Sequence, residues 1–150
     1  AVIEITPVVE ETVKLLPLLF CLAVFEVGAA EGLDIIFNVA VGFATFENIC
    51  YLIQNGAAHF SFIFFRGIGT GAMHVICGAI VGGSLAYVWR RTWLKIAGTC
   101  GLLGAAITFH AIYNLLIAYG GTAQYIAYLL PVGILAAGKL IARYLKAAEG

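Results

Sequence analysis

The chain has 150 residues, 63% hydrophobic and 11% charged, with a mean hydropathy of +1.03. Soluble domains run roughly 45–50% apolar and about 25% charged, so a water-soluble globule is excluded, and so is a disordered chain, which is poor in apolar residues. Eight Lys and Arg balance eight Asp and Glu, leaving no basic field for nucleic acid; what remains is a small integral membrane protein whose few charges carry information.

Five transmembrane helices are predicted, an all-α polytopic bundle over about 5–26, 33–54, 65–89, 93–119 and 122–143. In the first, the apolar run Leu15–Phe25 reaches spanning length only if Glu10, Glu11 and Lys14 enter the membrane with it. The second, built on Ile35–Phe46, likewise has to take in Glu47. The third rests on Gly67–Trp89, which carries no Asp, Glu, Lys or Arg. The charge-free stretch Ile96–Gly138 holds two crossings of ~20 residues each, and Gly120-Gly121 is the turn between them. Pro17 and Pro131 mark kinks and do not end their helices. The apolar runs are continuous and do not alternate, which argues against barrel strands. Glycines clustered at Gly67/Gly69/Gly71, Gly78/Gly82 and Gly98/Gly101/Gly104 point to close helix packing. Cys21, Cys50, Cys77 and Cys100 fall inside the spans and form no C-x-x-C pair, so they read as packing residues. The chain starts at Ala1 and enters a helix almost at once. That start suggests processing or truncation and leaves room for further helices upstream; residues 1–150 are read as a single transmembrane catalytic domain.

Basic residues gather at Arg90, Arg91 and Lys95 and again at Lys139, Arg143 and Lys146, while the connections at 55–64 and 120–124 have none. Two crossings separate the clusters, so both face one side, the cytoplasmic one by the charge rule. Helix 1 then runs from outside to inside. In that frame Glu10, Glu11, Lys14, Glu47, Asn48, His74, His110 and Asn114 all lie some 5–10 residues from the outer surface. At 1.5 Å per residue this is roughly 8–15 Å deep. Glu10 and Lys14, four apart, share a face, as do His110 and Asn114. Four helices thus bring Glu, Glu, His and His to one layer. Such a layer serves either a metal or hydrolytic water site, or an ion pathway.

The ordered set Glu10-Glu11-x-x-Lys14, Phe43-x-x-x-Glu47-Asn48, His74 and His110-x-x-x-Asn114 resembles the PrsW family of intramembrane proteases. Gly42-Phe43-Ala44-Thr45-Phe46-Glu47-Asn48-Ile49 with Tyr51 is similar to that family's second motif. The family is a branch of the group that contains the type II CAAX prenyl endopeptidases and bacteriocin-immunity-like membrane proteases. The prenyl-substrate relatives carry His where Glu47 stands and Arg where Lys14 stands. The likeness covers Val9 to about Leu116. It implies that Glu10 activates water, that Glu11 and Lys14 orient it and balance charge, and that His110 and Asn114 stabilise the oxyanion or His110 binds metal. It further implies substrates that are membrane-anchored proteins, such as anti-sigma factors, cut near the extracytoplasmic surface of a prokaryotic plasma membrane.

Two routes complete such a site. In the metal-free route Glu10 and His74 hold the water while His110 and Asn114 donate to the oxyanion. In the metal route Glu47, His74 and His110 hold zinc, with Glu10 as base; a carboxylate at the second motif fits this route better. A proton or metal-ion transporter would use the same layer, but no inverted repeat is visible. A non-catalytic scaffold would not need the intact acids and histidines. Of the remaining polar residues, His59 reads as solvated in the outer loop. Asn48 reads as an interhelical hydrogen bond or a catalytic group. Glu26, Glu31 and Asp34 read as loop solvation, and Arg66 as snorkelling to headgroups. Tyr113, Tyr119, Tyr125, Trp89 and Trp93 read as an interfacial belt.

Overall fold

The protein is described here from a computed structural model, which covers residues 2–55 and 60–148; His59 lies outside the described residues. Five helices follow one another: α1 (Val2–Val24), α2 (Ala29–Asn55), α3 (Phe60–Val88), α4 (Thr92–Tyr119) and α5 (Gly121–Ala148). Among the described residues there is no strand. Helices α2 to α5 are each long and apolar enough to cross a bilayer. With 23 residues α1 reaches about 35 Å, a spanning length, but it carries Glu10 and Glu11 in its first half and Lys14 near its middle. Both α1 and α5 continue through their internal prolines, Pro7, Pro17 and Pro131.

The turn between α4 and α5 is made by Gly120 and Gly121, whose φ values of 74° and 56° lie in the left-handed region that glycine enters without a Cβ penalty. The sharp reversal lays α5 back along α4 and α3.

Helix α3 is the centre. It packs against all four other helices, which lie around it in the order α2, α1, α4, α5, while among the described residues α2 and α5 flank it without meeting each other. Its buried stripe runs Thr70, Met73, His74, Cys77, Val81, Leu85 at helical spacing. Lipid supplies no hydrophobic drive between helices, so close approach through small residues holds the α2–α3 seam. A Cβ at Gly82 would run into the Ile36 side chain and come to 3.0 Å from the Gly32 carbonyl oxygen. On the α5 side, a Cβ at Gly69 would stand 2.8 Å from Tyr128 Cα. Leu18, Ile36, Met73 and Leu85 fill the core. Large apolar side chains such as Val13, Leu16, Phe20, Phe37, Phe46 and Leu129 face outward, as a lipid-bathed surface requires.

Candidate active site

The buried stripe of α1 runs Pro7, Glu11, Lys14, Leu15, Leu18, Leu22, so helical spacing alone turns Glu11 and Lys14 into the bundle and leaves Glu10 at the edge of that face. On α2, Ile36, Ala40 and Ala44 are buried and bring Phe43 and Glu47 to the same seam. His74 lies on the buried stripe of α3, and α4 buries Ala106, His110 and Tyr113. Four helices therefore bring Glu10, Glu11, Lys14, Glu47, His74 and His110 into one cluster.

The cluster is a continuous hydrogen-bonded chain. Lys14 Nζ donates to Glu11 Oε1 at 2.5 Å and to His74 Nδ1 at 2.8 Å. An ammonium can only donate, so His74 accepts at Nδ1 and carries its proton on Nε2, which donates to Glu47 Oε2 at 2.9 Å. The same logic applies to His110, whose Nδ1–H donates to Glu11 Oε1 at 2.7 Å. Its Nε2 lone pair is then turned toward Glu10 Oε2, 3.8 Å away. The two imidazoles meet edge to face with centroids 5.2 Å apart. Phe43 lies edge-on to His74 at 5.4 Å and under Lys14 Nζ at 5.2 Å, which is the physical role of the aromatic four residues before Glu47.

Each histidine is thus held by a carboxylate, His74 by Glu47 and His110 by Glu11. Backing of this kind fixes tautomer and ring direction in histidines that bind metals. Glu10, His74 and His110 each offer a ligand atom within 4.8 Å of the others. Glu10 Oε2 is buried and has no hydrogen-bond partner among the described residues. An orphaned carboxylate oxygen beside two imidazoles is a donor set that suits a divalent metal ion. Glu47, expected as a ligand, is engaged by His74 Nε2 at 2.9 Å and gripped by Arg66 Nη2 at 2.8 Å.

Several polar residues differ from expectation. Lys14 pairs with Glu11, three residues away, and not with Glu10. Arg66 does not snorkel. Its guanidinium turns inward, donating to Asn48 Oδ1 at 2.6 Å and to Glu47, and lies 3.9 Å over the Tyr51 ring. Paired and stacked, it is better satisfied there than in apolar lipid. Asn48 therefore makes an interhelical bond. Tyr113 does not belong to the interfacial belt: it is 2% exposed, and its hydroxyl lies 3.1 Å from Thr70 Oγ1. The His110-x-x-Tyr113 spacing was the available signal, since it puts both on one face. Asn114 is half-buried and makes no side-chain hydrogen bond among the described residues. Glu26, Glu31 and Asp34 are exposed at the other end of the bundle.

No curated protein and no solved structure gives a match to the chain. The sequence model of the PrsW family intramembrane metalloproteases matches residues 1–137. That span takes in every residue of the polar chain, and the match and the geometry meet in one conclusion: the protein belongs to the PrsW family, and is an integral membrane endopeptidase acting on proteins embedded in the bilayer.

Proposed function

We propose that residues 1–150 act as one transmembrane catalytic domain that hydrolyses peptide bonds of single-span or membrane-anchored proteins, such as an anti-sigma factor, near the extracytoplasmic surface of a prokaryotic plasma membrane. The side is supported by Arg90, Arg91, Lys95, Lys139 and Arg143, which gather at the end opposite the polar cluster. Within the cluster Glu47 and Glu10 keep side-chain exposures of 29% and 15%, against 3% or less for Glu11, Lys14, His74 and His110. The exposed pair sits on α1 and α2, so substrate reaches the site laterally along that seam, with its own helix locally unwound to free the scissile amide.

The observation that carries the mechanism is Glu10 Oε2, a buried carboxylate oxygen without a hydrogen-bond partner among the described residues, facing the His110 Nε2 lone pair. Glu10 takes the proton from water as the oxygen attacks the scissile carbonyl carbon, and returns it to the leaving amine nitrogen. Asn114, one turn along α4 from His110 and without a side-chain hydrogen bond among the described residues, donates its amide hydrogens to the oxyanion. Glu11 orients His110, and its charge is balanced by Lys14. Arg66 positions Glu47, which positions His74.

Glu10, His74 and His110 are the residues that would hold a divalent ion, zinc by donor type. The chemistry such an ion supplies is Lewis acidity toward a carbonyl oxygen and a water. Glu10 would be both one of the residues holding the ion and the base that takes the proton. Lys14 donates to His74 Nδ1, so its ammonium and a cation compete for one lone pair.

The test is cleavage of a single-span reporter by the purified full chain in detergent. Glu10→Gln should cut about 10²- to 10⁴-fold more slowly. Cutting at the wild-type rate by that variant overturns the assignment of the base. Chelator-insensitive cleavage by protein with no bound metal removes the ion from the mechanism and leaves the carboxylate route.

A further inference from the structure

The end of the bundle away from the polar cluster holds a second concavity. It lies about 22 Å farther along α3 than His74, at 1.5 Å per residue. A cavity of about 550 Å³ opens there between the end of α1 and the turn from α3 into α4. That size falls within the ~300–1,000 Å³ of ordinary ligand sites. Its polar wall is Arg90, Lys95, Trp89 and Glu26, and its apolar wall includes Leu22 and Phe25. Lys95 Nζ stands 5.3 Å over the Trp89 ring, which holds the ammonium at the cavity edge. Among the described residues, Glu26 forms no ion pair with Arg90 or Lys95 and Arg90 has no hydrogen-bond partner. Two cations against one acid leave the hollow net positive.

The protease chemistry uses none of these groups. Orienting the protein by charge needs only basic residues on one side, without a hollow. A hollow with unneutralised cations on one wall, and an apolar wall that continues into the lipid-facing helices, suits a ligand with an anionic head and a hydrocarbon tail. The indole is the third feature, since Trp sits at headgroup depth.

We propose that this cavity binds the phosphate of an anionic phospholipid, with Arg90 and Lys95 on the phosphate oxygens and the first acyl carbons against Leu22 and Phe25. Basic hollows between transmembrane helices take headgroups in this way. A lipid held there ties the end of α1 to the α3–α4 turn and so sets the depth at which α1 carries Glu10.

The experiment is native mass spectrometry of the full chain in neutral detergent, titrated with phosphatidylglycerol, phosphatidylcholine or inorganic phosphate. Phosphatidylglycerol should be retained in preference to phosphatidylcholine. The double variant Arg90→Gln, Lys95→Gln should bind it about thirtyfold more weakly, from two lost charges near the surface. Glu26→Gln should bind it as tightly or more tightly, and Lys139→Gln with Arg143→Gln should change it less than twofold. Equal retention of phosphatidylcholine, or unchanged binding by the double variant, overturns the proposal. Inorganic phosphate that binds as tightly as the lipid overturns it in favour of a soluble anion. Weaker binding by Glu26→Gln also overturns it, because removing an acid cannot weaken an anion site.

Discussion

The two halves of this bundle are held together by different physics. In the half that contains Leu18, Ile36, Val81, Gly82 and Leu85, contact is apolar, and glycine lets α2 and α3 backbones approach closely. In the half that contains Glu10, Glu47, His74 and His110, the helices are joined by a chain of charge-assisted hydrogen bonds from Arg66 to Glu11 and His110. The first half resembles any tightly packed membrane protein. The second concentrates groups that lipid penalises, and tolerates them because almost every one has a partner. Among the described residues, the fully buried side-chain oxygen without a hydrogen bond is Glu10 Oε2, the atom available for chemistry. The contrast teaches that the packed half supplies rigidity while the polar half supplies both cohesion and reactivity.

Three substitutions break or sharpen this contrast, beyond Glu10→Gln. The largest effect on stability is expected from Glu11→Ala. It strips Lys14 and His110 of their shared acceptor and leaves a buried ammonium without its carboxylate, at about 3–5 kcal/mol. Thermal unfolding in detergent measures it. A loss below 1 kcal/mol would show that the polar half does not hold the helices. Next comes Gly82→Val, which overpacks the α2–α3 seam at about 1–3 kcal/mol. It should lower the melting temperature while leaving the rate per folded molecule unchanged; a rate loss without a stability loss would mean that the halves are not separable. The smallest is Arg66→Gln. It frees Glu47 and loosens His74 at second hand, an outer-layer effect of about 10- to 100-fold. The readout is metal affinity together with cleavage rate. If both are unchanged, the grip of Arg66 on Glu47 has no bearing on the site.

Much of the fold was legible from the chain alone. Apolar runs near 20 residues mark the helices, and α2, α4 and α5 begin within a few residues of their expected starts. Helix α3 begins at Phe60, five residues before the expected start at 65, since Arg66 lies inside it. The turn at Gly120-Gly121 was legible because no other residue enters the left-handed region as cheaply. The layer holding Glu10, Glu47, His74 and His110 was legible because depth follows from residue count along a helix.

Partnership was not legible. Glu10 and Glu11 are neighbours in sequence, yet one takes Lys14 and His110 while the other is left open. Arg66 turns inward, Tyr113 leaves the interface, and Glu47 is shared between Arg66 and His74. Composition and spacing determine which segments cross and how deep each side chain sits, since both depend only on rise per residue and on the cost of charge in lipid. Which way each helix is rotated about its axis is set by contacts among all five helices at once, so only the tertiary structure decides which donor meets which acceptor.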